Sequence, residues 1–145
     1  MFGDFLKRLT QPEPQTLIET DARLALCALL IRIARSDGDY AISEINRIDR
    51  ITVARYGLSP FEATKLRSEA EILESEAPDT VRFTRAIKNA VPYDDRRAVV
   101  EAAWSVALSD GQRADEEDAL LRLVASLLGV RDVDSALARQ KAAQA

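Results

Sequence analysis

Apolar side chains recur at intervals of three and four residues along nearly the whole chain, which is the spacing of one face of an α-helix. The segment from Ala22 to Arg35 is apolar on most sides, so it predicts a central helix buried among the others. No segment shows the alternating pattern or the clustered β-branched residues of a strand. The sequence therefore predicts an all-α fold, a compact bundle of about seven helices.

Glycines, prolines and capping residues divide this pattern into separate helices. Ser43 is a candidate N-cap for a helix that ends at Gly57, and Pro60 opens the next helix. In the second half of the chain, Asp115 is a candidate N-cap for a helix that ends at Gly129. The order of these signals is the same in the two halves.

One short acidic passage occurs twice, as ARSDGDYAISE and as ALSDGQRADEE, at a constant offset of 73 residues. Any two amphipathic helical hairpins share apolar spacing and terminal glycines, but the identities within these passages favour an internal duplication. We therefore expect the bundle to be built from two pseudo-repeated helix-loop-helix halves. The identical residues are Ala34, Ser36, Asp37, Gly38, Ala41 and Glu44 in the first copy and Ala107, Ser109, Asp110, Gly111, Ala114 and Glu117 in the second.

The length of 145 residues suits one domain. We expect residues 1–20 to form an N-terminal amphipathic segment and linker, and residues 21–141 to form a single helical domain. Residues 2–9 can rest peripherally on a membrane surface or a partner, or pack on the helical body. Their apolar face consists of Phe2, Phe5, Leu6 and Leu9, beside Lys7 and Arg8.

The composition excludes several kinds of chemistry. A formal net charge of −4 argues against nucleic acid as a partner and favours cations or basic surfaces. The chain has no His and one Cys, so it lacks an imidazole base, an internal disulfide and the ligands of a structural zinc site. Cys27 lies in an apolar run and is expected to be a small buried side chain. The N-terminus lacks a secretory signal and no apolar run is long enough to span a membrane, so a cytoplasmic location is expected.

Two acids of the doubled passage stand at unusual positions. Asp37 and Asp110 each follow the C-terminal end of a predicted helix, where the helix dipole disfavours an anion. An Asp-Gly turn explains them locally, and a cation bound between the two loops is the alternative. The other acids nearby stand at helix starts, where the dipole stabilises a negative charge.

Neither passage matches an EF-hand, because Ile42 and Ile48 replace the glycine and the glutamate that the first loop would need. A site shared between the two loops stays open as a hypothesis. It would suit a hard divalent cation such as Ca, Mg or Mn, since such ions prefer oxygen ligands. The candidate ligands are Asp37, Glu44, Asp110 and Glu117, with Asp39 and Asp115 as secondary candidates.

Further passages carry a resemblance to a known family. Together with the two SDG passages, FTRAIKNA at 83–90, DRRAVVEAAWSVALSDG at 95–111 and LLRLVASLLGV at 120–130 resemble the tellurite-resistance TerB family of small, all-helical bacterial proteins. The resemblance covers most of the chain, from Ala22 to about Arg139. The second loop departs from the pattern, because Arg113 stands beside an unbroken run of acids.

The resemblance implies a compact helical fold and an acidic surface proposed to bind metal ions. It also implies a link to resistance against tellurite and other chemical stress, beside membrane or chaperone partners. By matching positions, Asp37, Glu44, Asp110 and Glu117 would be the acidic residues of the family.

Three classes of function stay open. The first is a non-catalytic module that binds a divalent cation. The second is an ion-independent adaptor for an unknown protein partner or for the inner face of the membrane. The third is an enzyme that uses the same four carboxylates, for which the sequence supplies no phosphate-binding loop and no evident nucleophile.

Overall fold

The computed structural model describes residues 19–36, 38–76, 80–109 and 115–144. Within these ranges the chain forms seven α-helices and no strand, which confirms the all-α fold. The helices are α1 (Glu19–Arg35), α2 (Ile42–Tyr56), α3 (Pro60–Glu76), α4 (Thr80–Ala90), α5 (Tyr93–Ala107), α6 (Asp115–Leu127) and α7 (Asp132–Gln144). None of these helices is long and apolar enough to cross a membrane.

Helix α1 lies at the centre of the bundle. Its side chains from Leu24 to Ile31 are all buried, including those on opposite faces of the helix. It packs against α2, α3, α4, α5 and α6, so no face of its middle turns is left for solvent. The prediction of a central buried helix is confirmed, because an all-round apolar helix is stable only when other helices cover every side.

The helix ends follow local rules, with one correction. Helix α2 begins at Ile42 with Ala41 as its N-cap, so the prediction that Ser43 caps it is wrong. Glu44 caps this helix instead, since its Oε1 accepts a hydrogen bond of 3.1 Å from the backbone N–H of Ala41. At the other end, Gly57 takes a left-handed conformation with φ of 65° and donates its N–H to Val53 O at 2.9 Å, as a C-terminal glycine cap does.

The two halves of the chain share a contact pattern. In the first half, α1 packs on both α2 and α3, and in the second half α5 packs on both α6 and α7. Helices α1 and α5 also pack on each other, and each touches the second helix of the opposite half. Buried positions coincide at the offset of 73 residues, in the pairs Leu26 and Val99, Cys27 and Val100, Ile31 and Trp104, and Ala34 and Ala107. The duplication stays a prediction that these matches support.

The division into an N-terminal segment and a domain also stays a prediction. Residues 1–18 lie outside the described residues, and with them the whole apolar face predicted for residues 2–9. The described chain begins with α1 at Glu19, so the predicted domain start at residue 21 falls within the first turn of that helix.

The chain offers a matched pair of phenylalanines that tests this core. Phe83 on α4 is fully buried under the guanidinium of Arg32, whereas Phe61 on α3 is 79% exposed. We expect Phe83→Ala to lower the free energy of unfolding by about 3 to 5 kcal/mol, since it leaves a cavity. The matched Phe61→Ala should change it by less than about 0.5 kcal/mol. Urea unfolding of the two variants measures both values, and similar losses would contradict the core described above.

Candidate functional site

The structure describes the side chains of two predicted metal ligands, Glu44 and Asp39, and not those of the other four. Asp37 and Asp110 lie outside the described residues, and of Glu117 and Asp115 only their place in the first turn of α6 is described. Glu44 is fully buried in the first turn of α2, and Asp39 is exposed in the loop before it. The described residues contain no group of three or more His, Cys, Asp or Glu that could hold a metal ion. Whether the two loops meet stays a prediction.

Glu44 is unusual among the carboxylates of the described chain because its whole side chain is buried. Glu62 has the same position in the first turn of α3, and its Oε1 accepts a 2.9 Å hydrogen bond from the N–H of Ser59. Glu62 nevertheless stays exposed. Capping a helix therefore does not require burial of the capping carboxylate. Burial of Glu44 is imposed by the packing of the start of α2 on the core, at the cost of partial desolvation.

The serine of each SDG passage ends the helix that precedes it. The hydroxyl of Ser36 donates to Ile33 O at 2.7 Å, and its N–H donates to the same oxygen at 3.2 Å. Ser109 repeats this arrangement on Val106 O, at 2.8 Å from the hydroxyl and 3.2 Å from the N–H. Both loops therefore leave their helix in the same way. Gly38 continues the first turn with φ of 84°, a conformation that favours glycine.

Two arginines fix the C-terminal end of α1, which leads into the first loop. Arg35 lies over the ring of Tyr40 at 4.9 Å and forms an ion pair of 2.7 Å with Glu74 on α3. Arg32, one turn earlier, binds the same carboxylate at 3.1 Å and the carbonyl of Glu74 at 2.9 Å. The C-terminal end of α1 is thus fixed to the C-terminal end of α3. Cations at the end of a helix are also favoured by its dipole.

A second ionic group joins α2 to α3. Arg67 forms ion pairs with Asp49 at 2.8 Å and with Glu71 at 3.2 Å. The hydroxyl of Tyr40 donates to the same Glu71 at 2.8 Å. Burial and the neighbouring carboxylates raise the pKa of Cys27 to about 12, so its thiol stays protonated. Cys27 is the small buried side chain that the sequence predicts.

The sequence analysis missed a third polar group, which joins the starts of α5 and α7. Tyr93 donates its hydroxyl to Asp134 Oδ2 at 2.6 Å and accepts the backbone N–H of Arg131 at 3.0 Å. The guanidinium of Arg131 binds the same carboxylate oxygen at 3.1 Å. These hydrogen bonds hold the pKa of Asp134 below its usual value, the Tyr93 hydroxyl first and Arg131 after it. Local sequence patterns could not reveal this group, because Tyr93 and Asp134 lie 41 residues apart in the chain.

Comparison with protein families agrees with this architecture. The model of the family described as Tellurite resistance protein TerB matches residues 23–140. The chain belongs to the TerB family. The match runs from α1 to α7 and includes both SDG passages. Neither the comparison with curated proteins nor that with solved structures gave a match.

Membership in TerB puts all four predicted ligands inside the matched span. Of these, Glu44 is the one whose side chain the structure describes, and it is buried beside a loop that is closed by serine and glycine. The TerB domain therefore holds one carboxylate inside the protein next to the first acidic loop. The polar group of Tyr93 and Asp134 is, by contrast, an internal tie between two helices of the second half.

That tie makes the stability of the TerB domain depend on pH. Because the pKa of Asp134 is lowered in the folded state, its contribution is complete above the unfolded value of about 3.9 and is lost as the pH falls through the folded value. We expect Tyr93→Phe to lower the melting temperature near neutral pH, and the deficit to shrink below about pH 4. Thermal unfolding followed by circular dichroism across this range measures the deficit.

Tyr56→Phe is the matched control. The ring of Tyr56 lies under Arg23 at 4.8 Å, and its hydroxyl bonds no carboxylate among the described residues. Its effect on the melting temperature should be the same on both sides of about pH 4. A deficit of Tyr93→Phe that is equally constant would show that the charge of Asp134 does not contribute.

Proposed function

We propose that this TerB protein is a non-catalytic module whose acidic surface binds a divalent cation, in the response to tellurite or other chemical stress. The observation that carries the proposal is Glu44, a carboxylate fully buried next to the first SDG loop. The family match supports the link to tellurite, since the family is described by that resistance. The proposed place of action is the cytoplasm or the inner face of the membrane.

The loop geometry supports a role for the aspartates. Ser36 and Ser109 end their helices with the same pair of hydrogen bonds. In the sequence, the residues that follow these serines are Asp37 and Asp110. An anion after a helix C-terminus is disfavoured by the dipole, and a bound Ca, Mg or Mn ion would reverse that penalty. Glu44, Glu117, backbone carbonyls and water would supply the remaining oxygen ligands.

We also propose that the protein is not an enzyme. The single thiol, of Cys27, is buried and its pKa is raised to about 12, so it does not act as a nucleophile at neutral pH. The pKa of Tyr40 is also raised, by burial and by its hydrogen bond to Glu71, so it does not supply a base. The chain has no His. The four acids are thus better suited to holding an ion than to proton transfer coupled to a nucleophile.

Thermal unfolding in the presence of Ca, Mg or Mn tests the cation proposal. An ion at about 100 times its dissociation constant stabilises the folded state by about 2.7 kcal/mol, which corresponds to a rise of several degrees in the melting temperature. We expect the rise in the wild-type protein and its loss in the double variant Asp37→Asn with Asp110→Asn. Glu44 is left unchanged because its hydrogen bond to Ala41 supports the start of α2.

The matched control removes the same charge elsewhere. Asp94→Asn with Asp95→Asn neutralises two exposed acids in the first turn of α5. It should keep the full ion-dependent rise, whatever its melting temperature without ions. If the wild-type melting curve does not move with any of the three ions, the cation proposal is wrong. If both double variants lose the rise, the ion acts through general charge and not through the loops.

A second candidate is an ion-independent adaptor, which an exposed apolar group favours. Phe61 is 79% exposed on α3, and it lines a hollow of about 310 Å³ with Leu58 and Leu66. Exposed apolar groups of this kind are typical of surfaces that bind a partner. Residues 2–9, outside the described residues, would add an amphipathic contact to a partner or a membrane.

Co-sedimentation with liposomes tests the membrane form of this adaptor. We expect the full-length protein to bind vesicles that contain anionic lipids, because Lys7 and Arg8 flank the apolar face of residues 2–9. A version without residues 1–10 should bind much less. Binding that is absent from both proteins, or equal in both, would remove this segment as a membrane contact.

A further inference from the structure

A groove lies between α5, α6 and α7. The polar side chains that line it differ from those at the corresponding positions of the first half. Its volume is about 590 Å³, within the range of sites for small organic ligands. Trp104 and Leu108 line it from α5, and Arg122 lines it from α6. The remaining lining residues are Ala125, Asp132, Ser135, Ala136, Arg139, Gln140 and Ala143.

At the corresponding sequence positions, the first half has an arginine that forms ion pairs with two carboxylates. Asp49 on α2 corresponds to Arg122 at the offset of 73 residues. After the helix-ending glycines the offset is 72, so Arg67 and Glu71 on α3 correspond to Arg139 and Ala143 on α7. Arg67 binds both Asp49 and Glu71, at 2.8 and 3.2 Å. In the second half an arginine and an alanine have replaced the two carboxylates.

Two cations therefore line the groove without an ion-pair partner in the described chain. Asp132 is the one carboxylate among the described lining residues, and it lies beyond ion-pair distance of both arginines. Among the described residues, neither Arg122 nor Arg139 has a carboxylate within ion-pair distance. Arg139 lies over the ring of Trp104 at 5.1 Å, which leaves its guanidinium edge free for hydrogen bonds. The indole N–H of Trp104, which is 3% exposed, also has no acceptor within the described chain.

We propose that this groove binds a small organic anion, a carboxylate attached to a planar or apolar body. The carboxylate takes the place that Asp49 and Glu71 occupy in the first half, and pairs with Arg122 and Arg139. Guanidinium groups suit this role because they bind carboxylates through two parallel hydrogen bonds. The apolar body lies along Leu108 and Ala136, next to the stacked pair of Arg139 and Trp104. The site is separate from the proposed cation site and does not depend on it.

Trp104 is the single tryptophan of the chain, so its fluorescence reports binding at this groove. The probe is anilinonaphthalene sulfonate, an aromatic anion whose sulfonate stands for the carboxylate and which accepts energy from tryptophan. We expect saturable quenching of Trp104 by this probe, displacement of the probe by benzoate, and no displacement by benzyl alcohol. Arg122→Gln with Arg139→Gln should weaken probe binding by at least about tenfold.

A second variant restores the internal carboxylate. Ala143→Glu places an acid where the first half has Glu71, so it should compete with the ligand and weaken probe binding by about tenfold or more. Ala119→Glu adds the same charge on the exposed side of α6 and should change binding less than about twofold. Circular dichroism confirms that each variant is folded.

Three results would overturn the proposal. They are equal probe binding by the wild type and the double arginine variant, equal weakening by Ala143→Glu and Ala119→Glu, and displacement by benzyl alcohol as effective as that by benzoate. All these measurements are made without added Ca, Mg or Mn. Their outcome therefore does not depend on the cation proposal.

Discussion

The burial of α1 on every side is the constraint on which the rest of the structure depends. Because the middle of this helix has no polar face, five other helices must cover it, and its charged residues are confined to its ends. Each of these end arginines lies over an aromatic ring that another segment supplies. The pairs are Arg23 with Tyr56 at 4.8 Å, Arg32 with Phe83 at 5.0 Å and Arg35 with Tyr40 at 4.9 Å. The contacts at the ends of α1 therefore also position Tyr40, which belongs to the first acidic loop.

The two halves share a pattern of helix–helix contacts but differ in their polar side chains. The first half satisfies its charges internally, since Arg67 has two carboxylates and Glu74 has two arginines. The second half has buried apolar residues and a helix-ending serine at matching positions, but Arg122 and Arg139 have no carboxylate within ion-pair distance in the described chain. Apolar packing constrains a helix face closely, whereas a surface ion pair contributes little to stability and can be replaced. Under the predicted duplication, the charges of one half can therefore change while the fold is kept.

The sequence predicted those features that depend on short-range patterns. Helical periodicity and terminal glycines are local, so the all-α fold, the central helix and the helix end at Gly57 are confirmed. The prediction that Ser43 caps α2 was wrong because the helix begins one residue earlier, at Ile42, and Glu44 accepts the N–H of Ala41. The bond between Tyr93 and Asp134 and the groove beside Trp104 could not be predicted, because they depend on which helix faces meet across about 30 to 40 residues of chain.

Three acids at the same helical position differ in burial, and the comparison shows what sets the surroundings of Glu44. Glu44, Glu62 and Asp134 each stand in the first turn of a helix, where the dipole favours a carboxylate. Glu62 is exposed and serves as a cap alone, whereas Asp134 is buried and neutralised by Arg131. Glu44 is fully buried next to the first SDG loop, where the hydroxyl and the N–H of Ser36 end α1. A place in the first turn of a helix therefore does not decide the surroundings of an acid. The packing of that helix on the core does, and it buries Glu44 whereas Glu62 stays exposed.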